Sequence, residues 1–209
     1  MRLQVQILPR RPKQLKEIMK VIDNFLDDEY FNKLAHQICY ATSSFGSEFP
    51  WYYVQSRNSF TNTMLFFFTH YIYRATQEGE ADYLPSNSIY NLIQPFVKKV
   101  KVIENDSEMA ESWMIRANLY PNTEKLQEHS MHRDADFSHN SAILYLNTCD
   151  GYTKMVDGTK INSVANRLAL FDASELHCST TTTNVAGRFV LIVNYCSIQK
   201  TQHNTLSLL

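Results

Sequence analysis

The stretch QEHSMHRDADFSHN, residues 127–140, gathers His129, His132, Asp134, Asp136 and His139 into one short span. Such a cluster suits a metal site or a proton-transfer site. If 130–136 runs extended into a strand, side chains alternate between faces. His132, Asp134 and Asp136 then share one face, and His129 and Met131 point the other way. His132 and Asp134 lie about 7 Å apart along a strand at standard rise, and their side chains can converge on one ion. Asp136 is a step farther off, nearer the turn that FSHN implies. The preferred pair is therefore His132 with Asp134, as H-x-D. Asp136 reads as a turn cap or a substrate contact. His129 and His139 read as solvated turn residues or as supports behind the ligands.

The sequence around this cluster is strand-like. WMIRANLY (113–120), SAILYLN (141–147), NRLALFDA (166–173) and GRFVLIVNYC (187–196) are short, aliphatic and aromatic, and bounded by turn signals. Asp150-Gly151 and Asp157-Gly158 are hairpin or turn dipeptides. Several short strands joined by tight turns imply a sandwich or jelly roll in the second half.

The first half carries helical period. Phe31, Leu34, Ala35 and Ile38 recur at i, i+3, i+4 and i+7, with Asp27 or Asp28 as N-cap. Ile89, Leu92, Ile93, Phe96, Val97 and Val100 repeat the pattern, with Ser86 or Ser88 as cap and Pro95 placed to kink or shorten the helix. The expected fold is mainly β with N-terminal helices, an α+β chain in which helices support a jelly roll. It reads as one domain over 1–209, with a helix-rich part at about 1–110 packed on a β core at about 111–200. Trp51, Tyr52 and Tyr53 read as core or core rim.

The chain has 209 residues, 44% of them hydrophobic, enough for one sizeable core. A net charge of −1 without a long basic run gives no electrostatic case for nucleic acid or an anionic membrane as partner. Cys39, Cys149, Cys178 and Cys196 lie far apart with no CxxC pair, so reduced thiols are expected rather than disulfides or a thiolate zinc site. The N-terminus lacks an apolar stretch followed by small residues, and MLFFF (64–68) is far too short to span a bilayer. A cytoplasmic location is expected. Oligomeric state stays open.

Two ligands on one strand need a third from elsewhere. His36 lies on the first helix, His70 precedes YIY, and His203 is in a polar tail. His177 follows NRLALFDASEL, so a strand and a turn deliver it, and an antiparallel neighbour can set it opposite His132 and Asp134. Cys178 beside it has the opposite parity and reads as buried filler. Two histidines and one carboxylate on one face of a metal form the facial triad of non-haem Fe(II) oxygenases, which leaves positions open for a chelating cosubstrate and O₂. Zinc hydrolases use similar ligands with fewer free positions. Arg188 shares strand parity with Val190 and Ile192 and so points inward, where it needs a carboxylate. Its planar fork suits bidentate binding of a ligand dicarboxylate. Tyr145 and Tyr120 could hydrogen-bond the same ligand.

HRD also opens a protein-kinase catalytic loop. Here the asparagine is displaced to 140, and the Gly-rich loop and D-F-G are missing. The HRD of His132 and Asp134, the LH of His177 and the GR of Arg188, with strand texture between them, instead resemble the Fe(II)/2-oxoglutarate-dependent dioxygenases, prolyl-4-hydroxylase-like branch. The resemblance spans roughly residues 20–196. VIDNFLDDEYFNKL is similar to that family's opening segment and first helix, and AILYLNTCDGYT to its strand and hairpin after H-x-D. It implies a double-stranded β-helix and Fe(II) held by His132, Asp134 and His177. It also implies 2-oxoglutarate with its far carboxylate on Arg188 and Tyr145, and Tyr120 lining that pocket. O₂ is the co-reactant and ascorbate the accompanying reductant. The implied reaction hydroxylates a C–H bond of a prolyl or other peptidyl side chain, or of a small molecule, with release of succinate and CO₂. Val190 stands where some branches have a serine, and PNTEKLQEHSM (121–131) lacks the glycines common in animal prolyl hydroxylases. Both departures bear on substrate more than cosubstrate. The rival readings are a non-catalytic jelly-roll module that binds metal or ligand, and a zinc-dependent hydrolase.

Overall fold

Alternation along each strand sets the architecture, because successive side chains face opposite sides of a sheet. The computed structural model describes residues 19–40, 49–57, 64–75, 81–83, 87–103 and 112–196. The strands are β1 (Lys20–Ile22), β2 (Tyr52–Arg57), β3 (Met64–Ala75), β4 (Ala81–Tyr83), β5 (Ser112–Pro121), β6 (Asn140–Tyr145), β7 (Tyr152–Met155), β8 (Lys160–Asn162), β9 (Arg167–Asp172), β10 (His177–Ser179) and β11 (Gly187–Tyr195). The helices are α1 (Asp28–Cys39) and α2 (Asn87–Ile103). The major sheet runs β1-β9-β6-β11-β5-β3-β2, with β4 on β3, and the minor sheet runs β10-β7-β8. Every pairing is antiparallel. From β6 onward the chain passes repeatedly between the two sheets, which is the winding of a jelly roll.

The two faces of the major sheet differ in what they bury. Ile115, Ala117, Ala142, Leu144, Leu168, Leu170, Leu191 and Val193 join a core with α1 and α2. Tyr120, Ile143, Tyr145, Ala169, Phe171, Val190 and Ile192 form a second cluster on the inner face. The inner face carries the polar exceptions, which is why a site can form there.

Both helices follow their periodicity. Asp27 caps α1 by accepting from the Tyr30 N–H at 2.9 Å, and Phe31, Leu34, Ala35 and Ile38 are buried. The helix α2 continues through Pro95, which has no N–H to donate. One residue later the Tyr30 hydroxyl inserts into the ladder. It donates to the Leu92 carbonyl at 2.7 Å and accepts from the Phe96 N–H at 3.2 Å. A polar side chain is a known way to relax a helix at such a point, and here it also fastens α1 to α2. Ser86, one of the expected caps, lies outside the described residues.

The region expected to be helix-rich, about 1–110, also holds β1, β2, β3 and β4. The strand β3 is the longest among the described residues and lies directly beside β5. Its sequence MLFFFTHYIYRA is apolar or aromatic at nearly every position, so no period-two pattern announces it. Tyr52 and Tyr53 are exposed, not core, because β2 is the edge of the sheet. Asp157-Gly158 does form the β7–β8 turn, with Gly158 at φ +88°. Asp150-Gly151 is a bend leading into β7, where Asp150 accepts from the Thr182 hydroxyl and the Thr183 N–H. All four cysteines are free thiols. Among the described residues no helix is long and apolar enough to cross a membrane.

Asn166 anchors the segment between β1 and α1 to the roll. It adopts φ 61°, and its side chain accepts from the Leu26 N–H at 2.9 Å and donates to the Leu26 carbonyl at 2.8 Å. Asn166→Ala loses both buried bonds and leaves a β-carbon-bearing residue without side-chain compensation in the left-handed region. We expect it to destabilise the fold by roughly 2–4 kcal/mol, read as a lower urea midpoint with an unchanged slope.

Candidate metal centre

The site is built on a strand-like contact rather than a strand. Residues 127–132 run antiparallel along β10 and its extension. Glu128 bridges Thr180, and His132 bridges His177. The His132 N–H donates to the His177 carbonyl at 2.9 Å, and the His177 N–H donates back at 3.0 Å. Directly paired residues of an antiparallel ladder project to the same side. The two imidazoles therefore lie together, ring centroids 4.8 Å apart. Asp134 arrives two residues later on the same side. One ligand atom each from His132, Asp134 and His177 falls within 4.8 Å of the others.

Between the two bridges the register slips by one residue, because Glu128–His132 spans four steps against three for Thr180–His177. That irregularity has the character of a β-bulge. It corrects the simple alternation expected for 129–136. His129 and His132 line one cavity instead of facing apart. His129 is buried, not solvated, with its ring edge-on to Tyr120 at 5.2 Å and to Phe67 at 5.9 Å. Neither of its ring nitrogens has a hydrogen-bond partner. Burial, then the positive charge of Arg188, push its pKa down to about 4. His139 is buried as well, against Trp113, with Nδ1 on the Phe137 carbonyl. Asp136 is exposed.

The donor set fits a divalent transition metal. The Nδ1 atoms of His132 and His177 lie 3.1 and 3.0 Å from the carbonyls of Ser130 and Glu175. A carbonyl only accepts, so Nδ1 carries the proton in each ring and Nε2 keeps its lone pair for the site. Burial lowers the His177 pKa, against the pull of Asp134, which favours the neutral ligand form. Asp134 is held by two groups that the sequence reading did not single out. Arg116 donates to Oδ1 at 2.7 Å and Asn194 to Oδ2 at 2.6 Å. Burial opposes ionisation there, but Arg116 and the hydrogen bonds outweigh it and hold the carboxyl well below the usual carboxylate range. Oδ1 faces both histidines, 3.5 Å from His132 Nε2 and 4.0 Å from His177 Nε2. Two imidazole nitrogens and one ionised oxygen converging this way suit iron, with positions left for other ligands.

Arg188 points inward, as its strand parity requires, and has no exposure at all. Among the described residues it meets no carboxylate. Nη2 donates to Thr153 Oγ1 at 3.0 Å, Nη1 reaches the Thr180 carbonyl only at 3.5 Å, and Nε has no partner. Its guanidinium carbon stands 5.2 Å from the Tyr120 ring centroid and 5.4 Å from that of Tyr145. The Tyr145 hydroxyl donates to the same Thr153 oxygen at 2.9 Å. A buried cation so incompletely paired is costly unless a ligand anion completes it. In front of the triad lies a cavity of about 320 Å³ whose walls include Phe67, Tyr120, His129 and Ser179. Arg188 stands behind that wall, against Tyr120.

No protein family model matches the chain, and no curated protein sequence matches it. Solved structures do match its fold. An oxidoreductase of the 2OG-Fe(II) oxygenase family from Burkholderia pseudomallei superposes with a TM-score of 0.62 at 12% identity, over 85% of this chain and 84% of that one. A prolyl-4-hydroxylase from Pseudomonas putida gives 0.55 at 17% identity, over 86% and 92%. A prolyl hydroxylase from Trichoplax adhaerens, in complex with a hypoxia inducible factor peptide fragment, gives 0.56 at 15%, over 86% and 83%. The chain shares its jelly-roll fold with these three structures. At such identities the shared property is the fold, and the chemistry rests on the residues described above.

Gly151 makes room for Arg188. A β-carbon there would stand 2.6 Å from Arg188 Cδ and 2.7 Å from the Thr181 carbonyl oxygen. Gly151→Ala should therefore destabilise the protein by about 1–3 kcal/mol, seen as a lower urea midpoint. His129 yields a pH signature. With its folded pKa below the ordinary value, the unfolded state takes up the proton first on acidification. Stability is then complete above about pH 6.5 and falls toward pH 4. In His129→Phe the difference in stability between pH 7 and pH 4.5 should shrink, by urea titration at both values.

Proposed function

We propose that this protein is an Fe(II)- and 2-oxoglutarate-dependent dioxygenase that hydroxylates a C–H bond. The observation that carries the reading is the His132–His177 backbone bridge, which turns two Nε2 lone pairs toward an ionised Asp134. His132, Asp134 and His177 are its iron ligands. Arg188, with the Tyr145 hydroxyl, receives the far carboxylate of 2-oxoglutarate, and Tyr120 lines the path to it. Iron with 2-oxoglutarate and O₂ supplies the oxidising power, one oxygen atom going to the substrate C–H bond and one to succinate as CO₂ is released. That reaction consumes no further reductant, so ascorbate would act only to return oxidised iron to Fe(II).

The chain's own residues bind, orient and exclude water. Ser130 and Glu175 fix the two histidine tautomers through their carbonyls. Arg116 and Asn194 keep the carboxylate ionised and in place. Phe67 and Tyr120 form the apolar part of the wall that shields the reacting end of the cavity. Substrates are peptidyl side chains or small molecules, the prolyl hydroxylases of similar fold favouring the former. Unpaired thiols fit a reducing compartment such as the cytoplasm.

Protein loaded with Fe(II) without oxygen, then aerated, should release succinate only when 2-oxoglutarate is present. Arg188→Ala should raise the 2-oxoglutarate concentration needed for half-maximal turnover at least tenfold while metal content stays the same. Iron held without any 2-oxoglutarate consumption would instead indicate a binding module. Retained zinc with hydrolytic turnover would indicate a hydrolase.

A further inference from the structure

The cavity in front of the triad carries more basic than acidic side chains. Among the described residues lining it, Asp134 is the sole acid, whereas Arg116 and Arg133 both reach its wall. Gln55, Thr69, Tyr71 and Asn118 complete the polar side. Arg133 sits at the exposed rim and is tied to the Ser174 carbonyl at 2.6 Å. Arg116 is the inner one, on β5 beside the metal ligand, its side chain 15% exposed.

Arg116 has donors to spare. Among the described residues Nη2 binds Asp134, Nη1 meets only the Met114 sulfur at 3.5 Å, and Nε has no partner. If Arg116 served only to hold Asp134, a single ion pair would complete the group, and burial of the unpaired Nε would be a plain cost. The charge balance points the same way. A divalent cation, Arg188 and Arg116 together outweigh Asp134 plus a cosubstrate dianion by one positive charge. A cavity of about 320 Å³ is at the small end of ligand sites. It suits a small molecule or the last residue of a chain better than a residue inside a folded partner.

We infer that Arg116 is a substrate-binding residue and that the substrate presents a carboxylate to it, beside the metal. The inference rests on the dioxygenase reading and narrows its substrate class. The carboxylate belongs to a free small acid or to the C-terminus of a peptide. Its C–H bond to be hydroxylated lies close to that group, since Arg116 is in direct contact with a metal ligand.

The test is binding, not turnover. Zn(II)-loaded protein saturated with 2-oxoglutarate is screened by ligand-observed NMR against small carboxylic acids, short peptides ending in a free carboxylate, and the primary amide of each. Binding by acids of either kind, with their amides silent, is the expected result, and the arm that binds identifies the source. R116M and R116Q should weaken that binding roughly ten- to a hundredfold, and R116K should restore part of it. Amides binding as well as acids, acid binding unchanged in R116M, or no acid bound at all would overturn the inference. So would loss of Zn(II) or 2-oxoglutarate affinity in R116M with the acid preference intact, because Arg116 would then only support Asp134 or the cosubstrate. Failure of the wild-type protein to bind 2-oxoglutarate is read in the same samples and strikes the dioxygenase reading itself.

Discussion

The site depends on two reciprocal hydrogen bonds between the backbones of His132 and His177, residues far apart in sequence. An isolated bridge of this kind is weak by itself. It holds because the segment before His132 is bonded along the extension of β10, through the His129 N–H to the Ser179 carbonyl and the Thr181 N–H to the Gln127 carbonyl. That contact sets which side both imidazoles occupy. With the rings in place, the Nδ1 bonds to local carbonyls fix which nitrogen faces the cavity. The carboxylate then needs only to be kept ionised, which Arg116 and Asn194 do from β5 and β11.

The same inner face explains why the rest of the site is where it is. Arg188, Val190, Ile192 and Asn194 alternate with Phe189, Leu191 and Val193 along β11. The first set meets the cavity side and the second the helices. One strand thus delivers Arg188 at one end and, through Asn194, a brace for the Asp134 carboxylate at the other. On β5, Arg116, Asn118 and Tyr120 make the matching row. Because β5 and β11 are directly paired, these two rows lie side by side on one face, while α1 and α2 cover the other.

Much of this was readable in the residues. The periods of Phe31–Ile38 and Ile89–Val100 announced both helices, and the four aliphatic strands of the second half announced the roll. H-x-D stands out because its two ligand types share one face of an extended segment, His177 because a strand and a turn deliver it to them, and Arg188 because a charge interrupts an apolar strand at inward parity. By that same criterion Arg116 and Asn194 were visible: Arg116 shares parity with Tyr120, and Asn194 with Arg188. They were passed over because neither belongs to a recognisable motif. Other features lay beyond a period-based reading. The strand β3 hides because both its faces are apolar. The burial of His129 follows from a one-residue slip in a backbone contact between distant segments, which no local pattern encodes. The role of Gly151 comes from the approach of Arg188, a tertiary fact with no signature in the Asp-Gly dipeptide.

The central claim is that one cation and one keto acid meet at His132, Asp134 and His177. The most direct measurement is an anaerobic titration of Fe(II) into the protein with 2-oxoglutarate, followed by visible absorption, because a keto acid chelated to Fe(II) gives a charge-transfer band. The account predicts a band that saturates at a single equivalent of iron, requires 2-oxoglutarate, and is missing in Asp134→Ala. Iron that binds without producing the band, or a band that survives removal of the Asp134 carboxylate, would contradict it.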